Sequence, residues 1–146
     1  MKALEGQDRQ IFMASVDLDH LKMINDTYGH SEGDVAIRAI ADALSEAAGE
    51  KGICARFGGD EYVALCLWSA DEVPEDFVKI FEKRLHFWID QWNATEQKAY
   101  ELGASTGIIM ESIQNVNEID ELMKKADDNM YDCKVRHHSI RASRRE

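Results

Sequence analysis

The chain has 146 residues, 45% hydrophobic and 31% charged, which suits one globular domain with a real core and excludes a disordered chain or two ordinary domains. Its formal net charge is −11, and because residues 136–146 hold four arginines against one glutamate, the remaining chain stands at −14. So acidic a body repels a nucleic-acid backbone, and no apolar run is long enough to cross a membrane.

No signal peptide is evident at the start, and the three cysteines form no C-x-x-C pair. Reduced thiols and a cytoplasmic location are therefore expected, with no membrane contact by this segment, although a longer parent chain can carry an anchor. Cys66 falls in an apolar run and reads as a small core residue.

In chain order, residues 11–16 (IFMASV) form a short apolar run that predicts a buried strand, closed by Asp17-Leu18-Asp19-His20. Ser31 and Asp34 give an S-x-x-D start signal, and Val35, Ile37, Ile40, Ala41 and Leu44 follow at helical spacing as far as Gly49. Residues 53–57 predict a second strand, Gly58-Gly59 a tight turn, and residues 62–68 (YVALCLW) a third strand. Pro74 suits a first helical turn, and Phe77, Ile80, Phe81, Leu85, Trp88 and Trp92 mark one face of a long helix. Residues 100–110 predict a fourth strand kinked near Gly103. Asn117 is expected to cap a last helix carrying Ile119, Leu122, Met123, Ala126 and Met130.

This order, βαββαβ plus a terminal helix, predicts an α+β domain of the split-βαβ, ferredoxin-like kind: one antiparallel sheet with helices packed on one face. The helix crossover makes the first two strands parallel, so the turn after the second strand lies where the first one ends. Asp17 and Asp60 then meet at one sheet edge. The carboxylate clusters Asp17/Asp19 and Asp60/Glu61 repel one another there unless a cation separates them. A hard divalent ion bridging to phosphate answers that need, and two such ions about 3.5–4 Å apart steady an in-line phosphoryl displacement. Taken singly, Gly-Gly-Asp-Glu also fits a solvated hairpin tip, and Asp-Leu-Asp a strand-to-helix connection with one capping Asp. A calcium loop from Asp17 fails, because Lys22 and Tyr28 fall where Gly and Glu are required. Lys22 can meet a phosphate and Asn25 with Asp34 a guanine edge; a surface lysine, a capping Asn and a first-turn Asp are equally consistent readings.

The strings DLDHLKMINDTYGHSEGD (17–34), ARFGGDEY (55–62), STG (105–107) and ADDNMYDCK (126–134) together resemble the GGDEF family of diguanylate cyclases. The resemblance spans roughly residues 12–134 and implies a palm-like βαββαβ sheet. It implies that two GTP molecules condense to cyclic di-GMP, one GTP per protomer of a facing homodimer, with Mg²⁺ or Mn²⁺ as cofactor. Asp17, Asp60 and the Leu18 carbonyl would hold metal, and Glu61 would share the catalytic charge with Asp60. Asn25 and Asp34 would read guanine, Lys22 and Lys134 the β- and γ-phosphates, while Gly58 and Gly59 let the backbone approach the nucleotide.

Four departures from the family pattern stand out. Residues 1–10 lack its D-x-L-T-G-L-x-N-R segment and preceding helix. Tyr62 replaces the usual Phe. His137-His138-Ser139 stands for G-R-N, leaving Arg136, His138 or Arg141 as the remaining triphosphate contacts. Residues 49–52 (Gly-Glu-Lys-Gly) lack the R-x-x-D product-inhibition motif. The altered amino end and the His137-His138-Ser139 substitution support a second reading, a regulatory module that binds GTP or a guanine nucleotide with little turnover. The whole chain is expected to be one domain, with residues 136–146 a flexible basic tail. His137-His138 without further ligands reads as part of that tail rather than as a metal pair. A palm-type polymerase is disfavoured by the acidic body and the lack of a basic groove.

Overall fold

Apolar residues run without a break from Ile11 to Met13 and return at Val16 and Leu18, a pattern for a strand covered on both faces. The computed structural model, which describes residues 8–115 and 117–145 with side chains as far as Val135, bears this out. Its elements are β1 (Arg9–Leu18), α1 (Leu21–Tyr28), α2 (His30–Ala48), β2 (Gly52–Gly58), β3 (Glu61–Ser69), α3 (Phe77–Glu96), β4 (Ala104–Ile113) and α4 (Glu118–Arg145). The strands form one sheet in the order β2-β3-β1-β4, each antiparallel to its neighbours, which is the expected ferredoxin-like arrangement. β1 and β2 therefore run parallel, and β1 lies inside the sheet.

Strand alternation sends Phe12, Ala14, Val16 and Leu18 to one face, where the alanine-rich stripe of α2 (Ala36, Ala39, Ile40, Ala43, Leu44, Ala47) and α3 pack on them. Phe12 is fully buried between the rings of Phe77 and Phe81, at centroid distances of 4.9 and 4.7 Å. Burial of such a side chain contributes about 1.5–3 kcal/mol. Ile11 and Met13 point the other way, into a smaller cluster with Ile113, Leu122 and Ala126. The helices therefore do not all lie on one face: α4 covers β1 and β4 from the side opposite α2 and α3. Gly107 permits this, because a Cβ there would overlap the backbone of α4 at Ala126 and Met130.

Several boundaries differ from expectation, each for a local reason. Residues 21–28 form a helix of their own, α1, which stops at Gly29 (φ 96°). α2 starts immediately afterwards, so Ser31 lies inside it and makes no cap. The fourth strand begins at Ala104 and not at Tyr100, because Asn93 on α3 binds both the N–H and the carbonyl of Leu102, at 2.8 and 3.0 Å. Those groups are then lost to the sheet. Pro74 precedes α3 by three residues, whereas Gly49 ends α2 and Asn117 precedes α4 as expected. The backbone of α4 continues to Arg145, through the segment expected to be a flexible tail. The side chains of Arg136, His137, His138 and Arg141 lie outside the described residues, as do residues 1–7. Cys66 is fully buried, as expected. Among the described residues, no helix is long and apolar enough to cross a membrane.

Candidate active site

The acidic edge is assembled by register. β1 ends with Asp17 directly across from Glu61, the first residue of β3. The Leu18 N–H donates to the Asp60 carbonyl at 2.8 Å and ties the strand exit to the glycine turn. That turn needs its glycines, since Gly58 and Gly59 have φ of 146° and 48°. The Arg56 Nε braces it by donating to the Gly59 carbonyl at 2.9 Å. As a result, carboxylate oxygens of Asp17, Asp60 and Glu61 lie within 4.8 Å of one another.

Asp17 is only 5% exposed, and burial followed by the adjacent Asp60 carboxyl pushes its pKa up to about 7, even though Lys134 pulls it down. Lys134, on α4, donates from Nζ to Asp17 Oδ2 at 2.9 Å. Burial weakens the Lys134 ammonium, but its bond to Asp17 and the charges of Asp17, Asp60 and Asp19 outweigh that and raise its pKa. The other oxygen, Asp17 Oδ1, is buried and receives no hydrogen bond. Two carboxylates bond to each other only if one is protonated, so this oxygen needs either a proton shared with Asp60 or a cation. An orphaned oxygen beside two more carboxylates is an all-oxygen donor set, and it fits a hard divalent ion.

Asp19, grouped with Asp17 by sequence, is not part of this cluster. It is 3% exposed and accepts a hydrogen bond from Ser105 Oγ at 2.7 Å, bracing β1 against β4. Ser15 likewise donates to Asp127 of α4. The sequence displayed Ser105 and Asp127 within its motifs, but their partners follow only from register and from the seating of α4. Lys22 is exposed on α1, which leaves the sheet at the acidic end. The Asn25 side chain lies over Gly33, where a Cβ would overlap its Oδ1, and exposed Asp34 follows in the first turns of α2. The structure thus brings Asn25 to the helix that carries Asp34. A hollow of about 400 Å³ at the outer edge of β4, among His86, Thr106, Asn129 and Asp132, includes none of the three acids.

The fold and this edge define a four-stranded α+β domain with a carboxylate cluster suited to a divalent cation. The chain belongs to the GGDEF family: residues 1–139 match the family described as "Diguanylate cyclase, GGDEF domain". It is 30% identical over 131 residues to the probable diguanylate cyclase DgcJ of Escherichia coli, covering 90% of this chain and 24% of that protein. It is 29% identical over 111 residues to the cyclic di-GMP phosphodiesterase NbdA of Pseudomonas aeruginosa, covering 76% of this chain and 14% of that one. The chain thus spans a minor part of these longer relatives. Its fold matches the GGDEF domain of DgcB from Caulobacter crescentus, solved with c-di-GMP, at a TM-score of 0.69 and 24% identity over 86% of this chain and 72% of that one.

Proposed function

We propose that this chain is a diguanylate cyclase domain that condenses two GTP into cyclic di-GMP, one GTP per protomer of a facing homodimer, with Mg²⁺ or Mn²⁺. The observation that carries the reading is the buried, hydrogen-bond-free Oδ1 of Asp17 beside the carboxylates of Asp60 and Glu61. Asp17, Asp60 and the Leu18 carbonyl hold the divalent ion, which when bound neutralises charge on the triphosphate. Lys134 holds its ammonium on Asp17 at 2.9 Å in the structure, at the edge where it would meet the phosphates of a bound nucleotide. Lys22 adds a second point charge there. Asn25 and Asp34 meet the guanine edge, while Gly58 and Gly59 keep side chains out of the way of the nucleotide.

In each half-reaction the ribose 3′-oxygen of one GTP forms a bond to the α-phosphorus of the other, and the bond from that phosphorus to the pyrophosphate oxygen breaks. Pyrophosphate leaves with the electron pair, and the hydroxyl proton passes to the acidic edge, with Glu61 or Asp60 as its acceptor. Positioning and charge neutralisation supply the rate, as in phosphoryl transfer generally.

The test is incubation with GTP and Mg²⁺, with cyclic di-GMP and pyrophosphate resolved by chromatography. Product from the wild type that vanishes in Asp60→Asn supports the cyclase. GTP binding without product supports the regulatory module.

A further inference from the structure

We propose that Tyr100 is a positioning residue for base selection, holding the corner between α1 and α2 in the shape that presents Asn25 and Asp34. The inference rests on the reading that those two side chains meet guanine. α1 has eight residues, too few to hold its shape without tertiary support. Its last residue and the first turn of α2 are both pinned to one irregular segment, residues 98–100. The Tyr28 hydroxyl donates to the Ala99 carbonyl at 3.3 Å, and the Tyr28 ring lies 5.5 Å from that of Tyr100. The Tyr100 hydroxyl donates to Glu32 Oε1 at 2.9 Å, and Lys98 pairs with the same oxygen at 2.8 Å.

Tyr100 is itself fixed. It is 7% exposed, with Trp92 behind it at a ring distance of 6.4 Å, and Asn93 clamps the backbone two residues on. Burial, followed by the bond to Glu32, raises the pKa of the Tyr100 hydroxyl, so it remains a donor at any physiological pH. Beside the two pinned points lie the Gly29 N–H bond to the Asn25 carbonyl, at 2.9 Å, directly after Tyr28, and Gly33 beneath the Asn25 side chain, directly after Glu32. Glu32 immediately precedes Gly33, and Asp34 follows it. A strap from the approach to β4 therefore sets the relative placement of an amide on one helix and a carboxylate on the next. Paired recognition of a base edge is lost with sub-ångström displacement of either group.

The experiment compares wild type, Tyr100→Phe, Glu32→Gln and Asp34→Ala in the full chain with Mg²⁺. It measures calorimetric affinity for non-hydrolysable GTP and ATP analogues, together with amide hydrogen exchange. Tyr100→Phe keeps the ring and removes only the hydroxyl. Its preference for the GTP analogue should fall by roughly three- to tenfold, the size of one ordinary net hydrogen bond, through weaker GTP binding with ATP binding unchanged. Exchange across residues 21–33 should quicken while β1 and β3 stay protected, and Glu32→Gln should repeat the pattern. Full retention of the preference in Tyr100→Phe, or equal weakening of both analogues, overturns the inference. An unchanged preference in Asp34→Ala instead overturns the guanine reading beneath it.

Discussion

Replacing Asp17 with Asn should make the metal-free protein more stable while abolishing its divalent-ion response. Asp17 is raised from 3.8 to about 7. Because the folded-state value lies above the unfolded one, the contribution of this group favours folding fully below pH 3.8 and is lost as the pH rises through about 7. At about 1.4 kcal/mol for each tenfold change, the ionised form at pH 8 opposes folding by about 4 kcal/mol. That figure already includes the pull of Lys134; allowing for the poorer fit of an amide in a site shaped for a carboxyl group, about half, near 2 kcal/mol, should appear as added stability. For a chain of this length that is about 6 °C in melting temperature. Urea unfolding followed by tryptophan fluorescence in chelator, at pH 8 and pH 5, checks the argument. The gain should be largest at pH 8 and fall to less than half of that at pH 5, where folded Asp17 is protonated but the unfolded chain still ionises it. Mg²⁺ should then stabilise the wild type and leave Asp17→Asn unmoved. A variant less stable at pH 8, or shifted equally at both pH values, refutes the reasoning.

Gly107→Ala should destabilise the domain by about 3 kcal/mol, because the new methyl meets backbone of α4 and not a yielding side chain; an unchanged urea midpoint would contradict that packing. Gly33→Ala meets the side-chain ends of Asn25 and, more loosely, Leu21, rather than backbone. Its stability should stay within about 1 kcal/mol of wild type while affinity for GTP, but not ATP, falls roughly tenfold, and undiminished GTP affinity in titration calorimetry would rule it out. Because residues 49–52 lack the R-x-x-D motif, added cyclic di-GMP should not inhibit noncompetitively in a steady-state assay with GTP; clear noncompetitive inhibition would show the expectation wrong.

Where the sequence was legible, it was because periodicity and topology left few choices. The apolar run through Val16 and the glycine pair at 58–59 defined a central strand and a hairpin, and the crossover rule alone put Asp17 opposite the glycine turn. What the sequence concealed depended on which partner a polar group chose. Asp19 looks identical to Asp17 in a D-x-D string, yet Ser105 takes it out of the acidic cluster. Residues 21–28 hold Leu21, Ile24 and Tyr28 at helical spacing but make barely two turns, too short a stretch to announce a helix alone, and α1 is joined by contacts from Ala99 and Tyr100, more than seventy residues away from Tyr28. Likewise, nothing local reveals that Asn93 delays the start of the last strand, or that α4 crosses to the far side of the sheet.

The seating of α4 at Gly107 has one more consequence. Main chain touches main chain there, so the helix has no compressible layer beneath it and can neither roll nor slide by small steps. Lys134, about one turn beyond Met130, is therefore delivered to the acids by a stiff lever rather than by the looseness of its own stem. Drift in sequence at position 107 would be transmitted as a misplaced charge 27 positions later, and that links a glycine of the last strand to the electrostatics of the acidic edge.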